Sequence, residues 1–205
     1  MIAIVDYGAG NLRSVVRALE KVGFPAQVTG NPALVGQADV VLLPGVGAAG
    51  EAMRQLRERG LDLALRQAVE RGKPVFGVCL GLQLLFDATE EDGGARCLGI
   101  LPGMVRRLPP GLKVPHMGWN QVRQPASGGF HWLFEGVPDG ANFYFVHSYY
   151  GDPADPSLIA GETEYGVTFG SVLARDNLVA TQFHPEKSGD LGLRLYANFL
   201  RHWLG

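Results

Sequence analysis

The chain has 205 residues, of which 46% are apolar and 19% are charged, an ordinary balance for a globular protein with a full core. The net charge of −2 and the scattered arginines and lysines argue against a nucleic-acid partner, which would need a basic surface. The N-terminus lacks a basic leader, no apolar run approaches the ~20 residues that span a bilayer, and only two cysteines occur. These features predict a cytoplasmic enzyme without membrane contact or a disulfide framework.

Apolar strands alternate with helices through the first half of the chain. We predict strands at residues 2–6, 26–29, 38–43 and 74–79, and helices at residues 11–23, with Asn11 as the cap, and at 48–59, 61–71 and 80–88. Because these strands are apolar on both faces, we expect a parallel sheet that is covered by helices on both sides.

The pattern changes from about Leu98 onward. Short alternating strands are predicted at residues 142–147, 166–174 and 178–183, separated by glycine and proline turns, and an amphipathic helix follows at 191–204. The sequence contains no internal repeat, low-complexity tract or long linker, so we expect a single α/β domain over residues 1–205.

Cys79 is the central residue of a Gly-x-Cys-x-Gly motif at residues 77–81, where a predicted strand meets a predicted helix. A nucleophile at the tip of such a turn projects its sulfur away from the backbone, and the flanking glycines remove side chains that would collide there. N–H groups at the start of the following helix favour the thiolate form. The alternative is a buried structural cysteine, the interpretation that we give to Cys97, which lacks this context.

A thiol nucleophile needs a base, and the base needs an orienting group. Among five histidines, His184 follows a predicted strand and precedes Pro185 and Glu186. Proline holds the preceding residue in an extended conformation, in which residues i and i+2 project to the same side. We therefore expect Glu186 to bond one ring nitrogen of His184 and leave the other facing the thiol. The alternative is a solvent-exposed turn.

No cofactor or metal site is predicted. Residues 7–13 begin like a dinucleotide-binding loop, but Arg13 occupies the position of the third glycine, which favours a tight turn and a helix cap. No His-x-x-x-His or paired-cysteine spacing indicates a metal centre.

Three motifs together resemble those of the class I, or triad-type, glutamine amidotransferases: residues 44–47 (Pro-Gly-Val-Gly), 77–81 (Gly-Val-Cys-Leu-Gly) and 183–186 (Phe-His-Pro-Glu). The resemblance covers essentially the whole chain and implies a flavodoxin-like α/β fold, with a mixed central sheet and helices on both faces. It also implies that Cys79 is the nucleophile, His184 the acid and base, and Glu186 its orienting carboxylate. Glutamate would be the released product.

Substrate contacts are predicted on both sides of the thiol. By resemblance, the 44–47 loop supplies a backbone N–H near Gly47 to the oxyanion and the Leu80 N–H supplies another; removing one such donor typically costs ~2.7–4 kcal/mol. The glycines of this loop would permit a peptide flip between an idle and an active arrangement. Gln83 lies one helical turn after Cys79 on the same predicted face, where it contacts the amino-acid end of the substrate or, alternatively, is a helix-surface residue.

Finer features are similar to the glutaminase subunits of imidazole glycerol phosphate synthase, namely residues 6–12, 44–47, 115–120, 147–150 and 184–188. This resemblance implies a heterodimer with a (β/α)8-barrel cyclase that uses the ammonia in histidine biosynthesis. It places Met117, Trp119, Asn120 and Lys187 at the interface, although aromatic residues are by themselves more often core.

Three alternatives remain open. The first is a glutaminase of an anthranilate or aminodeoxychorismate synthase, although Leu82 stands where those glutaminases usually carry histidine. The second is a thiol peptidase-like hydrolase of the same broad fold, which would cleave peptides without a partner. The third is a catalytically silent binding subunit, which the complete Cys-His-Glu set disfavours.

Overall fold

A seven-stranded sheet forms the centre of the molecule in the computed structural model, which describes residues 1–8, 10–125, 129 and 131–205. Its strands are, in spatial order, β11 (Ile159–Glu164), β12 (Thr168–Arg175), β13 (Leu178–Thr181), β4 (Val75–Cys79), β3 (Val40–Gly45), β1 (Ile2–Val5) and β2 (Ala26–Thr29). The strands from β13 to β2 pair in parallel, and β12 and β11 add two antiparallel pairings at one edge. The predicted mixed α/β sheet is confirmed.

Two hydrophobic layers sandwich this sheet because successive residues of a strand point to opposite faces. In β1, Ile2 and Ile4 pack with α1 (Leu12–Lys21) and α6 (Gly189–Leu204). Ala3 and Val5 face the other layer, which is formed by α2 (Pro32–Gln37), α3 (Ala49–Glu58) and α4 (Leu61–Glu70). Helices therefore cover both faces, as the apolar strands predict.

The predicted helix over residues 80–88 is wrong in its second half. The chain forms a short helix, α5 (Leu80–Leu84), and then a strand, β5 (Phe86–Thr89). Burial of the Phe86 ring and pairing with neighbouring strands override the helical spacing there. The resulting four-stranded sheet contains β10 (Tyr149–Pro153), β7 (Leu101–Arg107), β5 and β6 (Ala95–Arg96), in that order.

Other boundaries also differ from the predictions. Helix α2 was not predicted; the Asn31 side chain begins it by accepting a hydrogen bond from the Ala33 N–H at 2.9 Å. Helix α1 starts after Asn11 as expected, but the Asn11 side chain accepts no hydrogen bond from it. Ala9, in the 6–12 motif, lies outside the described residues.

A two-stranded sheet of β8 (His116–Val122) and β9 (Ala141–His147) places one end of each strand beside the carboxyl end of the central sheet. Its register pairs His116 with His147 and Trp119 with Tyr144. Single turns of 3-10 helix occur at Glu91–Gly93, Trp132–Phe134, Pro156–Leu158 and Pro185–Lys187. In the part of the chain that the structure describes, no helix has both the length and the apolar character needed to cross a bilayer.

The turn from β4 into α5 is packed directly against β3. A Cβ added at Gly81 would overlap the Leu43 carbonyl oxygen, and one at Gly77 would lie 3.2 Å from the Gly81 carbonyl group and 3.1 Å from the Ala180 Cβ. The glycines of the Gly-x-Cys-x-Gly motif therefore allow the elbow to fit between neighbouring strands.

Replacing Gly81 by Ala should therefore lower the free energy of unfolding by about 1–3 kcal/mol or more, the usual cost of overpacking, because the Leu43 carbonyl is held in the sheet. Gly36→Ala is the matched control. No atom lies within 4 Å of the added Cβ in α2, and alanine favours a helix by up to about 1 kcal/mol over glycine. Urea unfolding of both variants measures the difference, and equal stabilities would contradict this account of the elbow.

Candidate active site

Cys79 occupies the tip of the elbow in a strained conformation. It is the last residue of β4 and the N-cap of α5, with φ 54° and ψ −107°. Positive φ is uncommon for a residue with a side chain and marks a site where the surrounding structure imposes the backbone. The residue is 6% exposed, and the register of β3 and β4 places Gly45 directly opposite it. The thiol therefore lies next to the loop that follows β3.

His184 reaches the same place through the topology of the sheet. Strand β13 lies beside β4 in parallel, with Thr181 opposite Val78, so the two carboxyl ends meet at one edge. Ligand and catalytic groups of open α/β sheets gather at such an edge because the loops that follow adjacent strands converge there. The structure thus brings together two residues that are separated by more than one hundred positions in the chain.

Glu186 lies within hydrogen-bonding distance of His184. Its Oε1 is 2.7 Å from the His184 Nδ1, and each side chain is 3% exposed. The geometry differs from the expectation in one respect. Glu186 belongs to the 3-10 turn Pro185–Lys187 rather than to extended chain, while His184 itself is extended.

Hydrogen bonds from β9 and α6 hold this pair in place. The His184 N–H donates to the Tyr144 carbonyl at 2.9 Å, and the Ser188 hydroxyl donates to the His184 carbonyl at 2.6 Å. The Tyr196 hydroxyl donates to Glu186 Oε2 at 3.4 Å, so the carboxylate is bonded through both oxygens. The backbone of His184 is therefore held at both its N–H and its carbonyl, and the carboxylate orients the imidazole.

The electrostatic environment favours a protonated His184. Burial alone would lower the pKa of His184, but hydrogen bonding and charge from Cys79 and Glu186 outweigh burial and raise it to about 9. Among the described residues, the buried His184 Nε2 has no hydrogen-bond partner within normal geometry, yet the sulfur is close enough to influence the ring. The arrangement favours an imidazolium at His184, with Nε2 available for proton transfer.

A pocket of about 320 Å³ opens over the thiol. Its lining comes from the β3 loop, the elbow, the 3-10 turn after β5 and the end of β9, namely Val46, Gly47, Cys79, Leu80, Gln83, Glu91, Pro115, Val146, His147, Ser148 and Tyr149. Glu91 is the one carboxylate among these described residues, and its Oε2 accepts a hydrogen bond from the Ala49 N–H at 2.6 Å. The pocket is thus small, and its lining contains both the thiol and an acidic side chain.

The three residues predicted to contact substrate all line this pocket. Gly47 has a φ of 91°, in the left-handed region that glycine tolerates, and Leu80 is the first residue of α5. Gln83 is 5% exposed, so it is not a helix-surface glutamine. Its Nε2 donates to the Tyr149 carbonyl at 2.8 Å and to Gln182 Oε1 at 3.2 Å, and neither contact uses the Gln83 Oε1.

Several residues around the thiol were missed by the sequence reasoning. The Gln182 Nε2 lies 3.8 Å from the Cys79 sulfur, and His147 and Glu91 line the pocket. Gln182 directly precedes residues 183–184 in the chain, but no motif distinguishes it from an ordinary strand residue. Glu91 lies in an acidic turn that reads as solvated surface in the sequence.

The residues predicted at a partner interface divide into two groups. Met117 and Trp119 are 59% and 58% exposed on β8, and Lys187 is exposed with its Nζ 5.8 Å from the centre of the Tyr144 ring. Asn120 is half-buried and directs its amide inward, to His116 and to the Glu164 carbonyl. Exposure alone therefore supports a contact role for three of the four.

Known proteins with similar sequences share one description. A family model described as "Glutamine amidotransferase class-I" matches residues 3–203. A protein of Dehalococcoides mccartyi (strain CBDB1), named "Imidazole glycerol phosphate synthase subunit HisH", is 53% identical over 205 residues, which cover 100% of this chain and 98% of that protein. A protein of the same name from Moorella thermoacetica is 53% identical over 198 residues, which cover 97% of this chain and 93% of its own.

Solved structures show the same fold at lower identity. One described as "Crystal structure of glutamine amidotransferase" has a TM-score of 0.76 and 20% identity, with coverage of 98% of this chain and 97% of its own. One described as "Structure of PurLQS from Thermotoga maritima" has a TM-score of 0.73 and 18% identity, with the same coverage. The family resemblance drawn from the motifs is thereby confirmed, and the chain belongs to the class I glutamine amidotransferase family.

Proposed function

We propose that this chain is the glutaminase subunit of a cytoplasmic imidazole glycerol phosphate synthase and that Cys79 is its nucleophile. The observation that carries the proposal is the elbow thiol beside a buried His184–Glu186 pair, at the base of a small pocket with one carboxylate. The similar proteins named as subunits of that synthase support the assignment over a chorismate-using synthase.

The geometry supports a two-step reaction. The Cys79 thiolate attacks the side-chain carboxamide carbon of glutamine, and the His184 imidazolium gives its proton to the leaving nitrogen, which departs as ammonia. The resulting γ-glutamyl thioester is then hydrolysed by a water molecule that His184, now neutral, deprotonates. Glutamine and water are consumed, glutamate and ammonia are released, and Glu186 keeps the imidazole oriented throughout.

The pocket has groups suited to both ends of glutamine. Glu91 supplies a negative charge for the α-ammonium group, and the Gln83 Oε1, which accepts no hydrogen bond from the described residues, supplies a further acceptor in the same pocket. The Leu80 N–H and a backbone N–H near Gly47 would receive the oxyanion, the latter after rotation of a glycine-rich peptide.

A partner surface adjoins the catalytic pair. The rings of Trp119 and Tyr144 lie 6.1 Å apart, and the ammonium group of Lys187 lies near the Tyr144 ring. Lys187 directly follows Glu186 in the 3-10 turn, so this surface is continuous with the residues that orient His184. We assign it, with Met117 and Asn120, to a (β/α)8-barrel cyclase subunit that would receive the ammonia in a heterodimer.

The first prediction concerns which cysteine reacts. A glutamine-analogue diazoketone should alkylate Cys79 and leave Cys97 unmodified, because Cys97 is 2% exposed and burial raises its pKa to about 11, keeping it as a thiol. Peptide mass spectrometry of the chain with its cyclase locates the adduct. Cys97→Ala is the matched control and should be alkylated at Cys79 as the unmodified chain is. An adduct on Cys97, or any adduct on the Cys79→Ala variant, would contradict the assignment.

Replacing Glu186 by Gln removes the charge that helps raise the pKa of His184 while preserving size. We expect a pKa of His184 clearly below about 9 and a fall in glutamine hydrolysis of about 100-fold or more. NMR titration of the imidazole and steady-state assays measure the two effects. Glu135→Gln, at an exposed carboxylate, should behave as the unmodified chain does.

The same pair predicts how stability depends on pH. Because the folded-state pKa of His184 is raised, its contribution to the free energy of unfolding is full below its ordinary value of 6.5 and is lost as pH rises through about 9. The unmodified chain should therefore lose more stability than Glu186→Gln between these two pH values. Parallel loss in both proteins, measured by urea unfolding, would mean that Glu186 does not set this pKa.

Trp119 tests the partner surface. Trp119→Ala should weaken binding to the cyclase by about 2 kcal/mol, or about 30-fold in Kd, because a large aromatic ring loses its buried contact. Leu63→Ala is the control: Leu63 is 60% exposed, but it lies on α4, away from β8. Calorimetric titration of each variant with the cyclase measures the two Kd values. Equal affinities for the two variants would place the interface elsewhere.

A further inference from the structure

Two buried histidines outside the catalytic pair form a continuous hydrogen-bonded chain. His116 Nδ1 lies 2.9 Å from His147 Nε2, and His147 Nδ1 lies 2.9 Å from the Tyr149 carbonyl oxygen. At the other end, Asn120 Nδ2 lies 3.2 Å from His116 Nε2. Every ring nitrogen of this histidine pair therefore has one partner.

The partners at the two ends fix the direction of every bond. A carbonyl oxygen only accepts, so His147 Nδ1 carries its hydrogen and donates to Tyr149. In a neutral ring, His147 Nε2 must then accept from the His116 Nδ1 hydrogen, which leaves His116 Nε2 as an acceptor. Asn120 matches this requirement, because its Nδ2 also donates to the Glu164 carbonyl at 3.0 Å. Its Oδ1 is used separately, by the Gln121 N–H at 2.8 Å.

The surroundings of the histidine pair support neutral rings. Burial lowers the pKa of His116 to about 4, and burial is also the largest influence that lowers the pKa of His147 to about 3. The His116 ring is stacked between Tyr165, at 3.9 Å between ring centres, and Phe145, at 4.9 Å. The stacking fixes the plane of His116 and so keeps Nδ1 toward His147 and Nε2 toward Asn120.

This series of hydrogen bonds ends at the thiol pocket. The Tyr149 carbonyl also accepts the Gln83 Nε2 hydrogen at 2.8 Å, so both of its lone pairs are used. Gln83 in turn bonds to Gln182, and the Gln182 amide lies against the Cys79 sulfur. His147 and Tyr149 themselves line the pocket. The position of this wall thus depends on which nitrogen of each histidine carries a hydrogen.

We propose that His116 and His147 are positioning residues of the glutamine site: a one-directional chain of hydrogen bonds runs from Asn120 through both neutral imidazoles to the Tyr149 carbonyl, and it holds the pocket wall and Gln83 in place. The predicted effect on glutamine binding rests on the proposed function, whereas the predicted positions of the imidazole hydrogens are independent of it.

The hydrogen positions are tested directly by long-range ¹H–¹⁵N NMR of the imidazole side chains in the full chain. Both histidines should be neutral Nδ1–H tautomers at pH 7. A protonated Nε2 on either ring, or a cationic ring at this pH, would overturn the proposal whatever the substrate proves to be.

Asn120→Asp tests the direction of these hydrogen bonds, because the aspartate side chain has nearly the same shape as asparagine. A carboxylate cannot donate to His116 Nε2, so His116 must become cationic or change tautomer. If His116 changes tautomer, its Nδ1 becomes an acceptor and His147 must donate to it from Nε2. The Nδ1 of His147 then has no hydrogen, and its lone pair faces the Tyr149 carbonyl oxygen. Gln121→Glu is the matched control, since it makes the same amide-to-carboxylate change at the adjacent exposed residue, outside the chain of bonds.

In assays with the cyclase at a saturating concentration, which removes any effect of Asn120 on partner binding, Asn120→Asp should raise the KM for glutamine by about tenfold or more, the size expected for one lost buried hydrogen bond. The His116 Nε2 of this variant should become protonated. Gln121→Glu should change neither the KM for glutamine nor the protonation of His116. If Asn120→Asp leaves KM unchanged, whether or not the imidazole signals move, the proposal fails. If the unmodified chain shows the expected tautomers but no glutamine hydrolysis, the proposed function fails instead.

Discussion

The close contact between the elbow and the neighbouring strand is the constraint on which the rest of the site depends. With Gly81 packed against the Leu43 carbonyl, α5 can begin immediately after β4, and Cys79 is left with a positive φ at the point where the chain reverses. The sulfur is thus directed out of the sheet by the backbone. Because β3 and β13 flank β4, the loops that follow both strands lie beside the sulfur. The same contact fixes Cys79, His184 and the glycine-rich loop relative to one another.

Burial and charge then determine what this geometry does. His184 is inaccessible to bulk water, which by itself would favour the neutral ring, but Glu186 and Cys79 supply enough negative charge to reverse that preference. The histidine pair at His116 and His147 has no such compensation, and burial keeps those rings neutral. Two kinds of imidazole therefore occur near the thiol: one whose pKa is raised, at His184, and two whose pKa is lowered, at His116 and His147.

The sequence predicted the parts of the molecule that depend on local chemistry. The elbow could be placed because glycines at fixed spacing around Cys79 indicate a close backbone approach, and the pairing of His184 with Glu186 follows from their separation of two residues. The parallel core could be predicted because β3 and β4 are apolar on both faces. Contacts that arise from the tertiary structure could not be predicted in this way. Gln182 and His147 meet the thiol pocket only through strand register, and Phe86 begins a strand because a neighbouring sheet buries it, although its spacing is helical.

We propose that Cys79 releases ammonia from glutamine for use by a separate synthase subunit. The most direct measurement is product formation by the chain assembled with the cyclase, supplied with either glutamine or an ammonium salt, for the unmodified protein and for Cys79→Ala. We expect Cys79→Ala to lose synthesis from glutamine and to retain synthesis from ammonium at the unmodified rate. Glutamine-dependent synthesis by Cys79→Ala would contradict it.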